Sequence, residues 1–555
     1  MIALTMPDGT VRSCQEGVTL LELSRDFAGN YGSPIAEGVI DGLGHNLQRE
    51  IHHDAVVDFI EIDSEEGMRV FVRSLLFLFI VVTNRLHPEV EIEVRNSLGS
   101  ALYCAIRGKE LTQEELDGIE AEMHRIIKSK EPIGYTMLTR EEAMRYAEQD
   151  PHLGPDQLGL MEMRPDVKMI PAVELLGQKA FFIGPVLPGT EHLEAFELIR
   201  FQAGVVINYP DTGNYRYLPP WSRHRRINET YHETEEWAAM IGCNTVSKLN
   251  RIIREGKADN IIRVAEALQE KKIAAIADRI AKNRKDLHFV LIAGPSSSGK
   301  TSFAQRLSVQ LEVNGIRPIP ISMDNYYRNR VDTPKKADGS YDFECVEAID
   351  LALFNDHLKR LLAGETVKMP KYNFREGVRE YRGDRIHMDD NSIFVVEGIH
   401  ALNRRLTESV APENKIKIFV SALTPMSLDD YNRIQTTDMR LLRRMVRDSQ
   451  FRSQDALMTI NMWPDVREGE EKYIFPFQED ADIFFNTTLI YEPAVLSRYA
   501  APLLESVPRE EKDAYFMAQR LLELLRFIEP LDDAPIPNNS ILKEFLGGSA
   551  FASAL

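Results

Sequence analysis

Apolar and polar positions change their period several times along the chain, and each change marks a new element. Ile2, Leu4 and Met6 alternate with short or polar neighbours, Pro7-Asp8-Gly9 signals a turn and Val11 restarts an extended segment. That pattern predicts a hairpin. Thr19 stands three residues before Glu22 at the head of Leu20, Leu21, Leu23 and Phe27, the spacing of a capping box on an amphipathic helix. A turn at Asp41-Gly42 and a strand over 56–62 complete a strand, strand, helix, strand order, which fits a small β-grasp domain over residues 1–62.

From 63 to 230 helical and extended stretches are mixed. Leu116, Ile119, Met123 and Ile126 are spaced for a helix over 112–128, and residues 180–183 and 204–208 read as strands. The longest apolar run, Leu75 to Val82, is eight residues against the ~20 a spanning helix needs, so it belongs to a buried core. Pro219-Pro220 and the polar run over 222–235 predict a boundary. Val246, Leu249 and Ile253, then Ile261, Val264, Ala265 and Leu268, then Ile273, Ile276 and Ile280 predict a helical connector over 231–284.

Beyond Leu287 short apolar runs alternate with helices: 288–293, 317–322, 392–396, 415–421 and 483–485. Such alternation indicates an α/β unit, a parallel sheet covered by helices on both faces, over 285–525. Pro530, Pro535, Pro537 and Gly547-Gly548-Ser549 predict a flexible tail over 526–555.

Composition narrows the function classes. At roughly 150 residues per domain, 555 residues allow three or four folded units. The 66 basic and 85 acidic residues leave a net charge of −19, which disfavours a broad nucleic-acid surface. Cys14, Cys104, Cys243 and Cys345 are dispersed and fit reduced thiols. With neither a secretory leader nor a spanning segment in view, a cytoplasmic protein without a membrane partner is expected, and a homo-oligomer is compatible with the composition.

The sharpest chemical feature is Gly294, Pro295, Ser296, Ser297, Ser298, Gly299, Lys300 and Thr301, a G-x-x-x-x-G-K-[ST] loop, followed by Ser302. The glycines let successive N–H groups point into one concavity at the head of a helix, a cradle for the phosphates of ATP. Lys300 would neutralise the β and γ phosphates, and the Thr301 hydroxyl would bind the bridging Mg²⁺. Strand-like 289–293 before the loop, and Phe303, Leu307 and Leu311 after it, supply the required strand–loop–helix context. Glu397, ending the apolar run 392–396 ahead of Gly398, is the second acid expected at the metal. Arg440, Arg443, Arg444 and Arg447 follow i, i+3, i+4, i+7 and share one helix face. They predict a lid that brings guanidinium groups onto the transferring phosphoryl group; the alternative is a solvated face paired with Asp438 and Asp448.

Several motifs in register resemble the uridine kinase and phosphoribulokinase family: 294–301, Ser322-Met323-Asp324-Asn325-Tyr326-Tyr327, Tyr341-Asp342-Phe343-Glu344, Pro370-Lys371-Tyr372-Asn373-Phe374, Val396-Glu397-Gly398-Ile399-His400, Asp438-Met439-Arg440 with Arg443-Arg444, and Ile474-Phe475-Pro476 before Ala481-Asp482. The resemblance covers about 285–500 and implies an ATP- and Mg²⁺-dependent nucleoside kinase. In it Asp324 takes the 5′-hydroxyl proton and helps hold the metal with Thr301 and Glu397, and Lys300, Arg443 and Arg447 assist transfer. Tyr326, Tyr327, Tyr372 and Phe374 wall the nucleobase, Glu344 accepts ribose hydroxyls and Arg440 contacts the substrate. Arg375-Glu376-Gly377 stands where a pyrimidine-selecting histidine is expected, and Glu344 replaces a shorter Asp, so base identity stays open.

The N-terminal half resembles other modules. Residues 1–62 are similar to a TGS domain and 63–225 to the editing-type second additional domain of threonyl-tRNA synthetase. In that domain an H-x-x-x-H pair binds metal; residues 96–100 here read Asn-Ser-Leu-Gly-Ser, which argues against a zinc-dependent hydrolase. Arg223-His224-Arg225-Arg226 is a candidate weak contact for RNA phosphate, and a nucleotide is the other candidate ligand of this half. Two alternatives to a nucleoside kinase remain: a translation-linked regulator that binds tRNA or a nucleotide through the N-terminal half, and a kinase acting on a sugar phosphate.

Overall fold

The computed structural model describes the chain apart from Ser100, Arg223, His224, Asp338, Phe374 and residues 552–555. The first unit is a five-stranded mixed sheet in the order Val11–Cys14, Ile2–Thr5, Ala55–Glu61, Ile35–Ile40, Leu43–His45. The expected capping box forms in both directions: Glu22 N–H donates to Thr19 Oγ1, and Thr19 N–H to the Glu22 carboxylate. It fixes the helix Leu20–Phe27, which buries Leu20, Leu23 and Phe27 against the sheet.

The second unit opens with the helix Glu65–Leu86, inside which the 75–82 run is wholly buried. Around it lie an antiparallel sheet, Glu197–Phe201, Gly204–Asn208, Ala101–Arg107, Glu91–Ser97, and a smaller one, Gly134–Thr139, Met169–Leu175, Gln178–Ala180. The strand expected over 180–183 stops at Ala180, because Phe181 and Phe182 both turn into the core. The polar run expected as a boundary is largely helical, within Arg225–Met240, where its charges pair along the helix, as in Arg225 to Glu229 at 2.8 Å.

The helices Val246–Arg254 and Ala258–Lys282 (α1) lead into the C-terminal sheet. Its strands are β1 (Phe289–Ala293), β2 (Arg317–Ser322), β3 (Ser392–Glu397), β4 (Lys415–Ser421) and β5 (Ile483–Asn486), all parallel, in the order β2-β3-β1-β4-β5. Alternate residues serve two cores: Val290 and Ile292 enter one, Phe289 and Leu291 the other. The covering helices include α2 (Lys300–Val313), α3 (Thr436–Phe451), α4 (Ala456–Tyr473), α5 (Glu492–Glu505), α6 (Lys512–Leu525) and the short α7 (Lys543–Leu546).

The segment expected as a flexible tail is packed over its described length. Leu531, Ile536, Ile541, Leu542, Phe545 and Leu546 are buried in the same core as α3 and α5. The prolines beyond α6 do not free the segment, because the apolar side chains between and after them find a surface to cover.

The two halves interlock. Between β4 and α3 the chain passes through the second unit, where Asn432 accepts the Ile183 N–H at 2.8 Å and donates to the Phe181 carbonyl at 3.1 Å. Tyr431 donates to the His152 carbonyl at 2.7 Å. On α6, Arg520 holds Asp438 through both guanidinium nitrogens at 2.7 and 2.9 Å and reaches Glu66 at 3.2 Å.

Candidate functional site

The loop Gly294–Thr301 leaves the central strand β1 and runs into α2. Gly294 lies against β4, where a Cβ would stand 1.9 Å from the Val420 carbonyl oxygen. Gly299 has φ +82 and Ser297 φ +58, a left-handed serine in a tight loop, where such strain is characteristic of ligand-binding turns. The Ser297 and Ser298 hydroxyls are buried and have no hydrogen-bond partner among the described residues. Orphaned donors in a concavity at a helix N-terminus suit an anion.

Lys300 donates to the Pro295 carbonyl at 3.0 Å. Burial pushes its ammonium below the ordinary value, and Glu397, then Glu544 and Asp324, pull it back. Glu397 ends β3 in register with Ser322 of β2 and Ile292 of β1, and it accepts the Ser322 hydroxyl at 2.9 Å. Its carboxyl is raised to about 7, first by burial and then by Asp324, with Lys300 opposing. Asp324 sits in the turn after β2 with an edge open to solvent. It too is raised, by desolvation in the cleft against the pull of Lys300 and Arg452. Two acids thus share one lysine beside Thr301.

Those acids fit Mg²⁺. Among the described residues no group of three or more His, Cys, Asp or Glu forms a protein cage, but Mg²⁺ takes one or two carboxylates and completes its shell with water and phosphate oxygens. Two carboxylates raised by their shared, desolvated position are a donor set that a divalent cation would relieve.

Beside them stand the acceptor-side residues. Tyr327 and Tyr372 pair with ring centroids 5.8 Å apart, and Tyr327 interacts electrostatically with Asp324 and Glu344. Glu344 is raised to about 7 by burial, with Arg444 opposing, and packs so tightly on Gly469 of α4 that a Cβ there would lie 2.5 Å from its own. Phe374 lies outside the described residues.

Two expectations need correction. Tyr326 does not wall a nucleobase: it is 1% exposed, packs edge-on against Phe354, and its hydroxyl meets His357 Nδ1 at 3.0 Å. Neither does the arginine helix form a solvent-facing lid. Arg440, Arg443 and Arg444 are buried on the carbonyl side of the loop. Arg440 bonds the Ser296 carbonyl at 2.9 Å and Glu470, with its guanidinium over the Trp463 ring, and so presents no surface to a substrate. Arg443, 0% exposed, is bidentate to Glu492 and reaches the Ser297 carbonyl at 3.3 Å. Arg444 donates to Ser296 Oγ at 2.8 Å. Arg447, half-buried, is held by Asp448, which Arg444 and Arg452 also approach. The anions that keep four like charges on one face are this chain's own carboxylates. Asp438, expected beside these arginines, pairs with Arg520 and Arg69 instead.

Sequence reasoning missed Glu470, Glu492, Glu544 and Arg452. Each is a charged residue in a helix or at its end, which no local pattern separates from a solvated one. Glu470 is fully buried and accepts the Ser296 N–H at 2.9 Å.

In the N-terminal half, Asn96 is buried in a strand, and Ser100, with Arg223 and His224, lies outside the described residues. Arg73 is buried there and donates to the Pro185 carbonyl, with its guanidinium so close to Gly184 that a Cβ would be 2.8 Å away. No helix among the described residues is long and apolar enough to cross a membrane.

The model of the Phosphoribulokinase / Uridine kinase family matches residues 289–490, the span that carries the loop, Asp324, Glu397 and α3. Over that span the chain is similar to the domain that this family model describes. The chain is also similar to a uridine kinase of Deinococcus deserti, 28% identical over 205 residues, which are 37% of this chain and 89% of that protein. The N-terminal region is similar to a threonine–tRNA ligase of Halorhodospira halophila, 25% identical over 201 residues, which are 36% of this chain. The chain spans only 31% of that ligase's length. A solved D-glycerate 3-kinase of Cryptococcus neoformans aligns with 46% of this chain and 87% of its own, at 14% identity and a TM-score of 0.21.

Proposed function

We propose that the chain transfers the γ-phosphoryl group of ATP to the 5′-hydroxyl of a nucleoside of the uridine or cytidine class. The observation that carries this reading is the convergence of Lys300, Asp324 and Glu397 at one end of the phosphate loop, beside the Tyr327–Tyr372 pair and Glu344.

The loop amides and the Ser297 and Ser298 hydroxyls hold the triphosphate, and Lys300 offsets charge on the β and γ phosphates. Thr301, Asp324 and Glu397 would hold Mg²⁺, which would supply positive charge beside the phosphates. Tyr327 and Tyr372 stack the base, and Glu344 accepts ribose hydroxyls. Asp324 accepts the proton of the attacking hydroxyl as the new P–O bond forms, and the bond to the ADP oxygen breaks. Arg443 acts through the loop by fixing its carbonyl side and is a positioning residue; Arg452 interacts electrostatically with Asp324, and Arg447 is paired with Asp448.

The test is to incubate the purified chain with Mg-ATP and a panel of nucleosides and sugar phosphates and to follow ADP release. Phosphorylation of a pyrimidine nucleoside, abolished in Lys300→Ala, is expected. Turnover confined to a sugar phosphate would replace the substrate class, and undiminished turnover by folded Lys300→Ala would refute the site.

For the N-terminal half we infer a regulatory role, favoured by Arg520, which joins Glu66 to Asp438 at the head of the arginine helix. Glu66→Gln should change the kinase KM or kcat without touching the site. Filter binding with tRNA at physiological salt tests the RNA alternative, for which the charge of −19 predicts weak, salt-sensitive binding.

A further inference from the structure

The segment after α6 makes a contact with the phosphate loop that the transfer reaction does not use. Glu544 accepts the Ser302 amide at 3.1 Å and the Ser302 hydroxyl at 2.7 Å with the same oxygen, Oε2. Ser302 is the third residue of α2, so its amide is one of the first-turn donors that lack a partner inside the helix. An amide and a hydroxyl together, two residues after a P-loop lysine, suit a phosphate oxygen, and a carboxylate oxygen stands in for one here.

The neighbouring side chains of the same segment extend the mimicry. Ile541 is fully buried over Gly299, where a Cβ would lie 2.7 Å from its Cγ2. Phe545, also fully buried, lays its ring on the Arg443 guanidinium, 5.0 Å from centroid to Cζ. An acid on the loop donors and, one residue on, a flat ring on a cation reproduce the two groups of a nucleotide: a phosphate and a base. Glu544 also interacts electrostatically with Lys300 and Glu397, which places its charge within reach of the reacting end.

We propose that residues 540–546 are an autoinhibitory plug that competes with ATP for the phosphate loop. This rests on the reading of that loop as the ATP site. When ATP binds, its phosphate takes the Ser302 amide and hydroxyl, and α7 with Glu544 swings out. Gly547 (φ +90) and Gly548 (φ +72) flank α7 on one side and Pro535 and Pro537 lie ahead of it, so the moving piece is short and bounded. If the plug is closed in about nine molecules of ten, the apparent affinity for ATP is about tenfold below the intrinsic one.

Mg-ATP binding by equilibrium dialysis to the full chain and to Glu544→Ala tests the proposal. Glu544 is only half-buried, so its truncation leaves the Ile541 and Phe545 packing in place. About tenfold tighter binding in the variant is expected. In the wild type, amide hydrogen exchange over 541–547 should speed up when Mg-ATP is added, a readout independent of whether the variant folds. Equal or weaker binding in Glu544→Ala, or slower exchange over 541–547 with ATP, would show that Glu544 merely caps α2 and would overturn the plug alone. Failure of both proteins to bind ATP would bring down the nucleotide reading and the plug with it.

Discussion

The two sides of the phosphate loop treat charge in opposite ways. On the carbonyl side, Arg440, Arg443 and Arg444 are buried, and Glu470, Glu492 and Asp448 balance them. On the side of Lys300, two raised carboxylates share one lysine whose own ammonium is lowered. A balanced cluster holds the loop's shape, whereas an unbalanced one stores a demand for a ligand. The same residue types, a few ångströms of backbone apart, therefore do structural work on one face and chemical work on the other.

The comparison breaks most readily on the rear face. Arg443→Ala leaves Glu492, 1% exposed, without its cation, and should cost about 3–5 kcal/mol in urea unfolding. A loss below about 1 kcal/mol would mean that the rear cluster carries no structural burden. On the front face Mg²⁺ should raise the unfolding free energy, by about 2.7 kcal/mol at a hundred times its Kd. Calorimetry of Glu397→Gln should show that gain largely lost, and an undiminished gain would place the metal elsewhere.

Two carboxylates at the junction of the halves make the stability depend on pH. At Asp438 burial raises the carboxyl, but Arg520 and Arg69 outweigh it and hold it down at about 2, below the ordinary 3.8. A depressed acid stabilises the fold above its unfolded pKa, so this contribution is present above about 3.8 and disappears as pH falls towards 2. Asp438→Asn should flatten the acid limb of the stability curve in that window. Glu37 is the reverse: burial and then Glu66 raise it from 4.5 to about 8. The folded state binds the extra proton between those values, so stability falls as pH rises through them, and Glu37→Gln should remove that slope. A mutant curve parallel to the wild type would show that neither acid titrates with folding.

Much of the kinase half was legible because its signals are local. The loop's glycines and Lys300 fall within one unbroken motif, 294–301, and the apolar runs 317–322 and 415–421 coincide with β2 and β4. The capping box at Thr19 and Glu22 lies within a single turn. What escaped depends on distant partners. The spacing of Arg440 to Arg447 shows that four cations share a face but says nothing of Glu470 and Glu492, which arrive from α4 and α5. Tyr326 and Tyr327 are adjacent, and only the tertiary packing sends one into the core and the other beside Glu344. Prolines between 530 and 537 looked like looseness because the groove that receives Ile541 and Phe545 is assembled from strands and helices far upstream in the chain.

The crossing between β4 and α3 gives the molecule a constraint on its history. Asn432 and Tyr431 satisfy carbonyls and an amide that belong to the other half, at His152, Phe181 and Ile183. Excising either half would strip the His152 and Phe181 carbonyls and the Ile183 amide of these partners, so the surface of each half is completed by the other.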